Sequence, residues 1–228
     1  VYKSVPTFAA VNLTNIALIN GQPTDLYKFT ITAPSNGPIH MKQFKINVNW
    51  SDGEGSTDNL ELESLKLYEN GVDITSTVAI VDEDTASDVE STSGVSELNS
   101  KIIVTWDGDS EESTTSAGSS TTYVIRGTPQ GFNVIDAAPY AASDSVSLQF
   151  VPDTAAQTSG YNFINQGTTL TAIEKLFSSS TASASATDHN LIWSDESAVA
   201  HSPDDDASTK DWSNSYLFNS VDAEAWVD

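Results

Sequence analysis

Carboxylates carry most of the chemistry written in this sequence, in three clusters: Asp82-Glu83-Asp84, Asp107-Gly108-Asp109 with Glu111 and Glu112, and Asp204-Asp205-Asp206. Closely spaced acids on a loop are hard oxygen donors, the ligand type that Ca²⁺ collects in sets of about six to eight. The segment from Asp107 opens with alternating acids as an EF-hand loop does. Its sixth position, however, is Glu112 where the sharp turn needs Gly, and its twelfth is Gly118 where a bidentate Glu belongs. The EF-hand reading fails. A looser Ca²⁺ site on Asp107, Asp109 and Glu111 is the metal expectation, with solvated acidic loops that keep the protein soluble as the alternative. No other cofactor is expected.

The three histidines offer less. His40 adjoins a strand with Met41, His189 precedes an apolar strand, and His201 lies in a polar loop beside Ser202 and Asp204. There is no G-x-S-x-G elbow, no H-E-x-x-H pair and no phosphate-cradling glycine loop. In a chain so rich in Ser and Asp, such neighbours of a histidine arise by chance, so no enzyme is expected. Five tryptophans are the remaining chemical resource. Trp50 and Trp106 end apolar strands and are expected in the core. Trp193, Trp212 and Trp226 fall in the tail, where Trp193 and Trp212 together would make a sugar-stacking platform.

Composition narrows the partners. The 228 residues carry 9 Lys+Arg against 32 Asp+Glu, a formal charge of −23, and no cysteine. Without Cys there is no disulfide framework, thiolate metal site or Cys nucleophile. So few cations exclude an extended nucleic-acid groove and disfavour an anionic membrane surface. No stretch approaches the length of an apolar membrane span, so no membrane insertion is expected. Twenty aromatics (Trp 5, Tyr 7, Phe 8) set the chain apart from a disordered acidic polymer. The Ser/Thr excess, missing Cys and scarce cations lead us to expect a mature exported protein, extracellular or at the cell surface, its signal removed.

The elements that would position these groups are strands. Apolar residues recur at every second position at Tyr27, Phe29 and Ile31, and most strongly at Phe44, Ile46, Val48 and Trp50, with Lys45, Asn47 and Asn49 facing water. Leu60 and Leu62 alternate, then Leu65 and Leu67 resume one residue out of phase, which predicts a β-bulge near Glu63-Ser64. Asn70-Gly71 suits a type I′ turn into a strand over Val72–Val81. Lys101–Trp106, Thr122–Arg126, Phe132–Ile135 and Val146–Phe150 read as further strands, and residues 107–120 as a loop without pattern. In the tail, Tyr161–Ile164, Leu170–Phe177, His189–Trp193 and Tyr216–Phe218 look like strands, with a helical turn or two as the alternative for Leu170–Phe177. Many short strands separated by turns imply an all-β, antiparallel β-sandwich, Ig-like or jelly-roll-like. Its parts are an extended N-terminal arm over 1–19, a main sandwich over 20–152, and a hairpin-rich C-terminal region over 153–228 packed on the same domain.

Several segments are similar to secreted β-rich surface proteins of candidate-phyla bacteria of the Parcubacteria type. These are Val1-Tyr2-Lys3-Ser4-Val5-Pro6-Thr7, Leu26-Tyr27-Lys28-Phe29, the run from Ser116 to Gly127, Leu191-Ile192-Trp193-Ser194-Asp195, His201-Ser202, and Asp211-Trp212-Ser213-Asn214-Ser215-Tyr216-Leu217. Where this chain has Ser215 such proteins usually have Gly. The resemblance implies a place outside the cell and a role in surface architecture or adhesion, and it carries no catalytic residues.

Two roles follow. The arm by default pairs with its own sheet; in the first role it instead leaves and acts as a donor strand, with Val5, Ala9, Val11 and Leu13 on its inserting face, so that copies assemble head to tail into a filament or surface layer with help from Ca²⁺. In the alternative, the chain is an adhesin module that binds cell-surface glycans through Trp193 and Trp212.

Overall fold

The computed structural model describes residues 2–14, 18–51, 60–82, 95–96, 101–106, 112–132, 144–153, 190–197, 201, 211–216, 218–219 and 221–227. Among them the strands in chain order are β1 (Thr7–Ala10), β2 (Thr24–Thr32), β3 (Ile39–Ser51), β4 (Glu61–Glu69), β5 (Val72–Asp73), β6 (Val78–Asp82), β7 (Val95–Ser96), β8 (Lys101–Trp106), β9 (Ser113–Thr115), β10 (Ser120–Gln130), β11 (Ser145–Gln149), β12 (Leu191–Ser194), β13 (Trp212–Ser213) and β14 (Glu224–Val227).

They form two antiparallel sheets that pack together as a β-sandwich. Sheet A runs β1-β2-β10-β4-β5, with β7 also on β4. Sheet B is built around the long β3, which carries β8 and β9 along one side and β11 and β12 along the other; β6, β13 and β14 extend it outward. The alternation that marks the strands fills the space between the sheets. Phe29 of sheet A meets Phe44 of sheet B edge-on at 5.2 Å, and Tyr123 of sheet A meets Trp106 of sheet B edge-on at 5.9 Å. Such aromatic pairs add geometric preference to the burial of apolar area.

The predicted bulge is present. Ser64 has φ 51° and the β4–β10 register slips opposite Gly127. A Cβ on Gly127 would lie 2.7 Å from Leu65 Cδ2 and 2.8 Å from Leu26 Cδ1, so a larger residue there would force these two buried side chains to shift. The turn at Asn70-Gly71 also takes the expected left-handed pair, φ 49° and 84°. The strand beyond it differs from expectation. Instead of one run over Val72–Val81, β5 ends at Asp73, Thr75–Thr77 makes a 3-10 turn, and β6 resumes in sheet B. The chain changes sheets at that corner.

Other corrections have equally local causes. Lys45 is buried, as is Lys42, because the outer face of sheet B is itself covered: Ile103, Ile192 and Trp212 are buried there yet stand apart from the main core. The patternless loop over 107–120 contains β9, which Ser/Thr hydroxyls hold rather than apolar side chains. Ser113 Oγ donates to Glu69 Oε2 at 2.7 Å and shares a hydrogen bond with the Tyr123 hydroxyl, while Thr115 Oγ1 donates to Thr121 Oγ1 at 2.8 Å. Trp50 is half-buried against Phe132, and Phe132 is a core residue outside any strand. Near Tyr216–Phe218 the chain turns, with Phe218 N–H donating to Ser215 O at 2.9 Å, and among the described residues the tail's strands are β12, β13 and β14. Tyr161–Ile164 and Leu170–Phe177 lie outside the described residues.

Candidate functional site

The N-terminal arm lies along its own body. Tyr2 hydroxyl shares a hydrogen bond with Ser213 Oγ at 2.6 Å and its ring sits 5.3 Å from Trp193. Lys3 N–H donates to Asp195, and Ser4 Oγ to Pro38 O at 3.2 Å. β1 then pairs with β2 as the edge of sheet A, Thr7 opposite Thr32 and Ala10 opposite Phe29. Val11 N–H donates to Lys28 O at 2.9 Å and Leu13 N–H to Glu224 Oε1 at 3.3 Å.

The face that this strand turns inward corrects the expected one. Phe8 and Ala10 pack on the core, whereas Val5 and Ala9 are exposed and Val11 and Leu13 half-buried. Phe8 is the anchor, with its ring 5.1 Å from Phe150, 5.5 Å from Phe218 and 6.1 Å from Phe29. Apolar residues occupy both parities of this segment, and the bulkiest one takes the core side. Where the arm leaves the sheet, Leu13 and Thr14 border an open cleft of about 250 Å³ that also contains Pro23, Asp25 and Arg126. Its guanidinium is already engaged, with Nε donating to Asp25 Oδ1 at 2.6 Å and Cζ 4.7 Å over the Tyr68 ring.

A second constellation was not signalled by spacing. His40 at the start of β3, Glu112 just before β9, and His201 in the C-terminal segment bring ligand atoms within 4.8 Å of one another. His40 Nδ1 lies 2.7 Å from Glu112 Oε1, and His201 Nε2 lies 3.0 Å from Glu112 Oε2. The other His201 nitrogen, Nδ1, is 3.1 Å from Asp211 Oδ2, and His40 Nε2 is 3.8 Å from Glu196 Oε2. The two imidazoles lie 4.6 Å apart, and Trp212 covers His201 at 5.2 Å. β-pairing sets this up: β9 lies beside β3 on one side with His40 opposite Thr114, and β12 lies on the other with His40 opposite Ser194.

Burial and hydrogen bonding oppose each other here. Burial alone would raise the Glu112 carboxyl, but the imidazoles of His201 and His40 outweigh it and hold the group at about 2. Burial likewise disfavours a charged His201, yet its bonds to Asp211 and Glu112 raise it to about 9. Ser194 Oγ also approaches His201, but at Nδ1, 3.4 Å away and on the same nitrogen as Asp211. A hydrolytic triad needs serine and acid on opposite nitrogens, so this trio is not one.

Asp107, Asp109 and Glu111 lie outside the described residues, although their neighbour Glu112 is central to the cluster. Trp193 and Trp212 correct the sugar-platform expectation, being 1% and 3% exposed. Their rings are enclosed, and Trp193 Nε1 donates to Asn214 O at 2.9 Å, so neither offers a face for stacking. Ser215 is tied to a buried carboxylate. Its hydroxyl donates to buried Asp153 Oδ2 at 2.7 Å and accepts from Asp153 N at 2.9 Å, while its own N–H donates to the same carboxylate at 2.9 Å. Glycine could supply only the last of these. Neither a family model nor a curated protein matches the chain in sequence.

Proposed function

We propose that this chain is an extracellular structural subunit that joins copies of itself into a filament or surface layer by passing its N-terminal arm into the slot that the same arm fills in its own body. The seat of Phe8 carries the reading: a four-residue edge strand holds one aromatic ring among Phe29, Phe150 and Phe218, while Tyr2, Val5 and Ile19 along the arm are exposed. Exchange preserves these contacts and changes only which copy supplies them. Because arm and slot are different surfaces, the contact is head-to-tail and propagates unless it closes into a ring. Each subunit carries −23, so salt or divalent cations such as Ca²⁺ favour assembly by screening.

The test compares the chain with a version lacking residues 1–13, by light scattering and negative-stain microscopy across salt and calcium concentrations. The intact chain forms oligomers that lengthen with concentration. The shortened one stays monomeric but takes up a peptide of residues 2–13. A Phe8→Ala peptide binds at least about tenfold more weakly, since burying a Phe side chain contributes about 1.5–3 kcal/mol. A monomer under every condition, together with a shortened chain that ignores the peptide, refutes the proposal.

A further inference from the structure

We infer that His40, Glu112 and His201 bind one divalent transition-metal ion, with Zn²⁺ the best-matched, and that the ion clips the C-terminal segment to β3. The inference is independent of how copies of the chain associate.

Hydrogen-bond inventory points to it. Each imidazole sets one nitrogen on Glu112; the other His201 nitrogen bonds Asp211 at 3.1 Å, whereas the other His40 nitrogen has Glu196 at 3.8 Å, beyond hydrogen-bond reach. In the tautomers that carry the hydrogen on the outer nitrogens, both inner nitrogens aim lone pairs at Glu112, an ionised carboxylate that can only accept, and the Thr114 hydroxyl 3.2 Å from His40 Nδ1 can satisfy only the His40 one. Positive charge belongs between them. His201, held by Asp211 on one nitrogen with the other facing inward, is oriented as metal-ligating imidazoles are. His40 Nε2 is buried without a hydrogen-bond partner, so its ring is not locked by competing bonds on that side.

The donor set selects the ion. Two imidazoles and one carboxylate suit Zn²⁺ and its borderline neighbours, whereas Ca²⁺ and Mg²⁺ demand oxygen. Zinc bonds of about 2.0–2.2 Å place tetrahedral ligand atoms roughly 3.3 Å apart. The three ligand atoms already lie within 4.8 Å of one another, so small side-chain rotations seat the ion. Zinc centres with this ligand set are often hydrolytic, with water in the fourth position. Here the side chains are only 10%, 14% and 7% exposed for His40, Glu112 and His201, which leaves little room for a substrate and favours a structural role. The bonds span 72 and 89 residues of chain, so the ion closes long loops in a protein that has no disulfide.

The experiment uses the whole chain, stripped with a chelator and then given Zn²⁺, Co²⁺ or Mg²⁺. One equivalent of Zn²⁺ is expected to compete with a chelating dye of micromolar affinity. Co²⁺ gives the visible absorption bands of a four-coordinate nitrogen–oxygen site. Zn²⁺ at hundredfold excess over its Kd raises Tm by about 5–10 °C, and equal Mg²⁺ does not. His201→Gln and Glu112→Gln weaken Zn²⁺ at least about 100-fold. Asp211→Asn, a positioning change, weakens it about tenfold and shifts the Co²⁺ spectrum without altering the stoichiometry. Should the ligand variants fail to fold, the Co²⁺ spectrum and the Zn²⁺–Mg²⁺ contrast on the unaltered chain still decide. Absent visible bands, or equal stabilisation by Mg²⁺ and Zn²⁺, overturn the inference and leave protons as the charge between the imidazoles.

Discussion

The space between the sheets and the outer seam of sheet B are held by different physics. Between the sheets, Phe29, Phe44, Tyr123 and Trp106 interlock through area and shape, and only the Tyr123 hydroxyl and similar polar tips need a partner. At the seam, directed polar contacts fasten the C-terminal segment: Asp153 to Ser215 and Asn190, and His201 to Asp211 and Glu112. Apolar packing is indifferent to pH and ions, whereas a seam of acids and imidazoles responds to both. One molecule thus combines an unresponsive interior with a conditional fastening.

Three changes probe that contrast, in decreasing order of effect. Phe44→Ala removes a fully buried ring at the sheet–sheet contact and should cost about 3–5 kcal/mol in denaturant unfolding, at every pH where the protein folds. Asp153→Asn keeps the shape but sets an amide donor against N–H groups now satisfied by the carboxylate, from Asn190 at 2.7 Å or Ser215 at 2.9 Å. It should cost about 2–3 kcal/mol by the same measurement. A loss as large as that of Phe44→Ala would mean that the seam folds as part of the core.

The smallest effect is a pH dependence of the metal-free protein. His201 is raised from 6.5 to about 9, so its contribution is complete below 6.5 and lost as pH climbs through 9. Glu112 is lowered from 4.5 to about 2, so its contribution is complete above 4.5 and lost as pH falls through 2. Together they give greatest support between 4.5 and 6.5. Calorimetry on chelator-treated protein should show Tm falling by a few degrees from pH 6 to pH 9.5, at about 2–4 °C per kcal/mol for a domain of this size. His201→Gln should flatten that slope, and an unchanged slope would remove His201 as its source.

Period-two alternation made the sandwich legible, because each strand of the interior writes its buried face directly into the order of residues. The bulge at Ser64 and the turn at Asn70-Gly71 were legible for the same reason, as breaks in that pattern with specific backbone requirements. The inward face of the arm is not legible in its sequence, because Val5, Phe8, Ala9, Ala10 and Val11 leave both faces apolar, and only the shape of the slot chooses Phe8. β9 was invisible because its Ser and Thr residues are held by hydroxyl bonds to distant partners. The His40–Glu112–His201 cluster had no signature, since its members come together only through the pairing of β9 and β12 with β3. The three residues stand far apart in the chain, and nothing in their spacing joins them.

The burial of Lys42 and Lys45 belongs to a wider pattern in where the cations sit. Of nine Lys and Arg residues, Lys28, Lys42, Lys45, Lys66, Lys101 and Arg126 all lie within strands. Proteases that cut after basic residues need an unpaired stretch of chain around the cleavage point, and hydrogen-bonded sheet denies it to them. Trypsin-like cleavage at these six positions therefore requires the sheets to open first.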